Sequence, residues 1–347
     1  MSHARGYAAL SAKSPLEPFS FTRREPGDKD VSIEIAYCGI CHSDLHQARD
    51  EWGGAAFPMV PGHEIAGRVK AVGKGVKKFK VGDSAGVGCL VNSCRNCPDC
   101  KRGLEQHCRK RASFTYNGTE QDGKTPTYGG YSDHIVVDEA FVLKIAPGMP
   151  LERAAPLLCA GITTYSPLKR FKAGKGDRVG VLGLGGLGHM AVKLAAAMGA
   201  EVTVLSRTAS KRADAQRLGA AEFLLTSDRA AVAKSAARLD LIIDTVSGTH
   251  DVDAALGLLR TEGTLVMVGA SPEPLPVRTF ALIGGRRSLA GSLIGGLPET
   301  QEMLDFCAKK KVLADVEIVA VKDVNSAYER LLAGNVRHRF VIDLKTL

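Results

Sequence analysis

The stretch VGVLGLGGLGHMAVKLA (Val179–Ala195) decides the fold. An apolar run of strand length enters three glycines spaced Gly183-x-Gly185-x-x-Gly188, and an amphipathic helical pattern leaves them. Glycines between a strand and a helix permit a tight turn and let backbone N–H groups approach a pyrophosphate, with the positive end of the helix dipole behind them. Gly183, Leu184, Gly185, Gly186, Leu187 and Gly188 are therefore candidate dinucleotide contacts.

The pattern continues on the C-terminal side. EVTVLS, EFLLT, LDLIIDTV and GTLVMVG read as strands, and ASKRADAQRLGA, DRAAVAKSAAR and VDAALGLLR read as the helices between them. The strands are continuous apolar runs rather than alternating ones, as expected of a parallel sheet covered by helices on both faces. This gives a doubly wound domain over about residues 155–291.

Before it, VSIEIAYC, IAGRVKAVG and YSDHIVVDEAFVLKIA read as β segments joined by turns such as KVGD and VPGHE, the texture of a mainly β, barrel-like unit. After it, ETQEMLDFCAKKK and DVNSAYERLLAG read as helices and RFVIDL as a closing strand. That strand needs a partner sheet, and the N-terminal β unit is the natural one. The fold class is then α/β: one mainly β domain, residues 1–154 and 292–347, with the doubly wound domain inserted in it.

The end of the second strand of the βαβ unit discriminates between dinucleotides. NAD sites place Asp or Glu there to hold the ribose hydroxyls. Here the position falls at Ser206, followed by Arg207 and Lys211. A hydroxyl and cations with no acid suit a 2′-phosphate, so the reading is NADP(H).

The chain has 347 residues and 9 cysteines, and 46 Lys+Arg against 37 Asp+Glu give a net charge of +9. The positive charges are scattered around loops (KGVKKFKVGD, FKAGKGDR, CAKKKV) rather than gathered in one stripe, which argues against a nucleic-acid partner. No apolar run reaches membrane-spanning length, and the N-terminal MSHARGYAALSAKSP has no apolar signal core, so the expected location is the cytoplasm. In that reducing compartment the cysteines read as metal ligands rather than disulfides.

NSCRNCPDCKRGLEQHC (Asn92–Cys108) supplies Cys94, Cys97, Cys100 and Cys108, four thiolates that can close a tetrahedral structural zinc site in a lobe of about residues 92–110. A nucleic-acid finger would interpose a reading segment of a dozen residues, which is missing. An iron–sulfur cluster is the competing occupant. A second set of candidate ligands is dispersed: CGICHSDLH offers Cys38, Cys41, His42, Asp44 and His46, VPGHEIAG offers His63 and Glu64, and PLLCAGITTY offers Cys159. Three of these, Cys41, His63 and Cys159, would give a Cys2His site with an open fourth position for water or substrate.

Taken in order, GICHSDLH, PGHEIAGRV, the four-cysteine lobe, LLCAGITTY and GLGGLGHM resemble the zinc-dependent alcohol dehydrogenases of the medium-chain dehydrogenase/reductase superfamily. AGSLIGG and RFVID point to its cinnamyl-alcohol-dehydrogenase-like branch, with its bacterial NADPH-dependent aldehyde reductases. The resemblance implies a GroES-like catalytic domain around an inserted Rossmann domain, with the active site in the cleft between them. It implies catalytic zinc on Cys41, His63 and Cys159 and structural zinc on Cys94, Cys97, Cys100 and Cys108. Glu64 would approach the metal, Asp44 would orient His63, and Ser43 and His46 would form a proton relay.

It also implies hydride transfer between NADP(H) and a primary alcohol/aldehyde pair, in a homodimer joined through an edge strand at SLAGSLIGG. Trp52, Cys89 and Leu293 are expected at the substrate pocket, suiting aromatic or medium aliphatic aldehydes. Cys38 and Cys307 are expected to be small core residues. The alternative is an NAD-dependent polyol or secondary-alcohol dehydrogenase, which would call for an acid near position 206.

Overall fold

The computed structural model describes residues 2–271 and 273–347. The chain divides into two compact units, residues 1–162 with 295–347, and residues 163–294. The divisions fall eight and three residues beyond the boundaries read from the sequence, so Cys159 belongs to the first unit.

The first unit is built on a seven-stranded sheet whose hub is the strand Asp30–Gly39. Ile65–Val72, His134–Asp138 and Arg339–Asp343 all pair antiparallel with that strand. Val31, Ile33 and Ile35 are buried along it, alternating with more exposed residues, as a sheet with one face on a core requires. The closing strand thus finds its partner in the N-terminal sheet, with Val341 opposite Gly39 and Ile342 opposite Cys38. Cys38 and Cys307 are fully buried.

One stretch departs from its sequence reading. YSDHIVVDEAFVLKIA is not one β segment: it is the strand His134–Asp138, a 3-10 turn over Glu139–Phe141 and the short strand Leu143–Lys144. Asp138 caps the turn by accepting the Ala140 N–H at 2.9 Å, and the Glu139 carboxylate accepts the N–H groups of Lys77 and Lys78, each at 2.9 Å. Side-chain acceptors reaching backbone donors compete with the ladder and break the strand.

The second unit is a six-stranded sheet whose adjacent strands are all parallel. Numbered in chain order, its strands lie 3-2-1-4-5-6, the doubly wound order, in which ligands sit outside the carboxyl ends of the strands where the order reverses. Leu205, Leu224, Ile242, Leu256 and Leu265 lie in its core. Among the described residues no helix is long and apolar enough to cross a membrane.

Candidate active site and cofactor cavity

In the first unit, Cys41, His63, Glu64 and Cys159 place one ligand atom each within 4.8 Å of one another, and all four are buried. Local contacts position Cys41 and His63. Cys41 caps the helix His42–Ala48, and Asp44 at that helix's third position turns back to accept the Cys41 N–H at 2.9 Å. Asp44 is fully buried, and its carboxylate also accepts the Gly62 N–H (3.2 Å), the Tyr131 hydroxyl (3.1 Å) and Nδ1 of His63 (3.0 Å). With Nδ1 donating to Asp44, His63 keeps the lone pair of Nε2 for the cluster, the arrangement that fixes the tautomer of a metal-binding histidine. The Tyr116 ring stacks on the His63 ring with centroids 5.7 Å apart.

Cys41 and Cys159 carry their sulfurs 3.9 Å apart. A tetrahedral zinc with Zn–S bonds of about 2.3 Å has S···S edges of about 3.8 Å, so the spacing suits that ion. The hydrogen bond with Cys159 is the main cause that holds the Cys41 thiol well below its usual range, against the effect of burial, and Cys159 is held well above its own. A dication between them would favour both thiolates at once.

Glu64 is fully buried and paired with the guanidinium of Arg339, itself 2% exposed. A Cβ on Gly39 would run into the Glu64 carboxylate, so this position accepts no side chain while the pair is in place. Arg339 carried no signal in the sequence; it arrives because its strand pairs with Asp30–Gly39.

At the exposed side, Ser43 Oγ lies 3.7 Å from Cys41 Sγ. His46 has Nδ1 2.5 Å from Glu51 Oε2 and stacks on Trp52 with centroids 5.1 Å apart. Glu51 was missed in the sequence, although an acid just past the end of a histidine-bearing helix is a detectable signal. Trp52 is 44% exposed. Cys89 is half-buried, and its thiol is lowered mainly by the Cys159 thiol beside it.

The four sulfurs of Cys94, Cys97, Cys100 and Cys108 also lie within 4.8 Å of one another, with Cys94 and Cys100 at 3.9 Å. Backbone N–H groups of Cys100 and Arg109 bring the Cys97 thiol down to about 6, whereas burial pushes Cys100 up to about 12. The donors present, four sulfurs at tetrahedral spacing, suit zinc.

In the second unit, Gly183 has φ +91°, and Gly185 caps the helix Gly186–Met198. A Cβ on Gly188 would strike the Gly183 carbonyl, so helix and turn touch only because that residue is glycine. A Cβ on Gly185 would meet nothing within 4 Å. No packing demands a glycine there, which fits a surface left bare for a ligand. Beside the turn is a cavity of about 480 Å³ whose lining includes Gly183, Leu184, Ser206, Arg207 and Lys211. Ser206 is buried, Arg207 is exposed, and Lys211 reaches back to donate to the Leu184 carbonyl at 3.0 Å. Gly186 and Leu187 begin the helix, and Leu293 lies beyond the last strand, 51% exposed.

Residues 27–147 match the family described as alcohol dehydrogenase GroES-like domain, and residues 186–309 match zinc-binding dehydrogenase. The chain is 55% identical to NADP-dependent alcohol dehydrogenase C 1 of Mycolicibacterium smegmatis over 348 residues, covering 100% of this chain and 99% of that protein. It is 52% identical to aldehyde reductase YahK of Escherichia coli over 346 residues, covering 99% of each. The solved cinnamyl alcohol dehydrogenase of Helicobacter pylori, complexed with NADP(H), superposes with a TM-score of 0.93 at 48% identity, covering 99% of this chain and 98% of that one. The chain belongs to the zinc-dependent alcohol dehydrogenases of the medium-chain dehydrogenase/reductase superfamily, in their cinnamyl-alcohol-dehydrogenase-like branch.

The buried ion pair gives a testable consequence. Removing one partner leaves an uncompensated buried charge, so Arg339→Met is expected to destabilise the protein by about 3–5 kcal/mol. Urea unfolding should register that loss, and Glu64→Gln added to Arg339→Met should recover a large part of it. A single variant as stable as the wild type would show the pair to be dispensable.

Proposed function

We propose that the protein is a cytoplasmic, NADP(H)-dependent zinc alcohol dehydrogenase acting chiefly as a reductase of aromatic or medium aliphatic aldehydes. The observation that carries this is the Cys41–His63–Cys159 cluster, with sulfurs at zinc spacing and His63 held in its ligand tautomer by Asp44. The dinucleotide preference rests on Ser206, Arg207 and Lys211 lining the cavity with no acid at the end of the second strand. The relatives named NADP-dependent, and the neighbour solved with NADP(H), support the same choice. The NAD-dependent polyol or secondary-alcohol reading lacks the acid it needs.

Cys41, His63 and Cys159 would hold the catalytic zinc, and Cys94, Cys97, Cys100 and Cys108 the structural one. When bound, the zinc supplies Lewis acidity and the nicotinamide supplies hydride. The chain's own residues do the rest. Asp44 keeps Nδ1 of His63 occupied, so Nε2 stays a ligand. The Glu64 carboxylate lies within reach of the same cluster, restrained by Arg339. His46, clasped by Glu51, holds a proton at the exposed end, and the Ser43 hydroxyl offers a transfer atom at the buried end beside Cys41. Trp52 and Cys89 would contribute to the substrate pocket. None of the nine cysteines is paired in a disulfide, which suits a reducing compartment.

The assembly we propose is a homodimer joined at the edge strand Ser288–Gly291, the last strand of the second unit's sheet. Phe280 is 80% exposed and Ile283, Leu289 and Leu293 are also exposed, so apolar surface and unpaired strand edge coincide.

Initial-rate reduction of benzaldehyde should run with strong preference for NADPH over NADH and should stop when zinc is chelated. Equal or better rates with NADH would defeat the argument from Ser206 and Arg207. Sedimentation of the wild type should give twice the chain mass, and Phe280→Glu with Leu289→Lys should give monomer. A wild-type monomer at micromolar concentration would remove the dimer proposal.

A further inference from the structure

The cavity of the second unit contains a histidine, His250, with no part in the proposed chemistry. Asp244 ends the strand Leu239–Asp244 and is 1% exposed. Its Oδ1 accepts the Val246 N–H at 3.1 Å, and its Oδ2 lies 2.7 Å from Nε2 of His250. The other ring nitrogen, Nδ1, lies 2.8 Å from the Gly248 carbonyl oxygen. A carbonyl can only accept, so Nδ1 carries a proton and donates it there. Nε2 is engaged with Asp244, whose carboxyl is raised by burial.

Both ring nitrogens are therefore occupied by the protein itself, yet His250 lines the cavity together with Ser206 and Arg207. It has no free N–H for a phosphate. What it can present is the face of a ring held at two points. The lining around it includes Val232, Ala254, Ala255 and Leu258, apolar surface suited to a flat base. Asp251, also in the lining, caps the following helix by accepting the Ala254 N–H at 3.0 Å, and its carboxylate would repel a phosphate.

We propose that His250 is the platform on which the adenine of the dinucleotide stacks, with Asp244 as the positioning residue that fixes the ring. The inference rests on the cavity being the NADP(H) site, and it assigns the adenosine half of the ligand to the His250 wall. It predicts that His250 acts on the base and is indifferent to the 2′-phosphate, whereas Arg207 acts on the 2′-phosphate alone.

The test is calorimetric titration of the full-length, zinc-loaded protein with NADPH, NADH and adenosine 2′,5′-bisphosphate. His250→Ala and His250→Gln should each raise Kd about 10-fold for all three ligands, the scale of a lost base–aromatic stack. His250→Phe, which keeps a ring face but no hydrogen bond, should bind within about 3-fold of wild type. Arg207→Ala should weaken NADPH and the bisphosphate and leave NADH unchanged. Wild-type binding by His250→Gln would overturn the proposal, because the hydrogen bonds alone would then suffice. So would a His250→Phe as weak as His250→Ala, which would make the role one of loop anchoring. A wild-type protein that binds none of the three would overturn the cofactor reading itself, and the platform with it.

Discussion

The pairing of the closing strand Arg339–Asp343 with Asp30–Gly39 is the constraint on which the candidate active site depends. It sets Phe340 against the turn just before Cys41, where the Ile40 N–H donates to the Phe340 carbonyl at 2.9 Å. It also delivers the Arg339 guanidinium to Glu64. A fully buried carboxylate beside two thiols would be costly without a cation, because desolvation penalises each charge. The sheet supplies that cation from the far end of the chain. The excursion into the doubly wound unit therefore has to end in a return to the first sheet.

The two cysteine clusters use different economies of sequence. Cys94, Cys97, Cys100 and Cys108 come from one short lobe, and local backbone N–H groups tune their thiols: Cys100 and Arg109 act on Cys97, and the Cys94 N–H lies 3.4 Å from Cys108 Sγ. Asp99, salt-bridged to Arg102 and Arg109, ties the same lobe together. Such a cluster is closed by its own segment. The Cys41, His63 and Cys159 set comes from three separated segments, with the Glu64 carboxylate beside it. It is oriented by the buried Asp44 carboxylate, which takes donors from Cys41, Gly62, His63 and Tyr131. Three protein ligands around a zinc would leave a fourth position for substrate, as chemistry on a bound substrate requires.

Much of this could be read from residues alone, and the reasons are local. Strand–glycine–helix order and continuous apolar runs announce a doubly wound sheet, since their periodicity is set by burial on both faces. CxxCxxC spacing announces its cluster because a short loop cannot place four sulfurs otherwise. What escaped were partners contributed by tertiary pairing. Arg339 lies hundreds of residues from Glu64 in sequence, and Tyr131 reaches Asp44 only through the fold. His250 and Asp244 are six residues apart but read as an ordinary loop until the turn between them brings the ring back over the carboxylate. Glu51 is a local exception, an acid five residues after His46 that the end of the short helix brings back onto the ring. The broken strand after His134 had a similar cause, because side-chain acceptors claimed backbone donors that a pattern of apolar residues cannot reveal.

The decisive measurement is anomalous diffraction from crystals of the protein, recorded on both sides of the zinc absorption edge. Two zinc peaks per chain are expected, one within the four-cysteine lobe and one at about 2.0–2.3 Å from Cys41 Sγ, Cys159 Sγ and Nε2 of His63, with Nδ1 still on Asp44. A single peak confined to the lobe, or a second metal bound through Nδ1 with Asp44 released, would overturn the zinc site proposed at Cys41, His63 and Cys159.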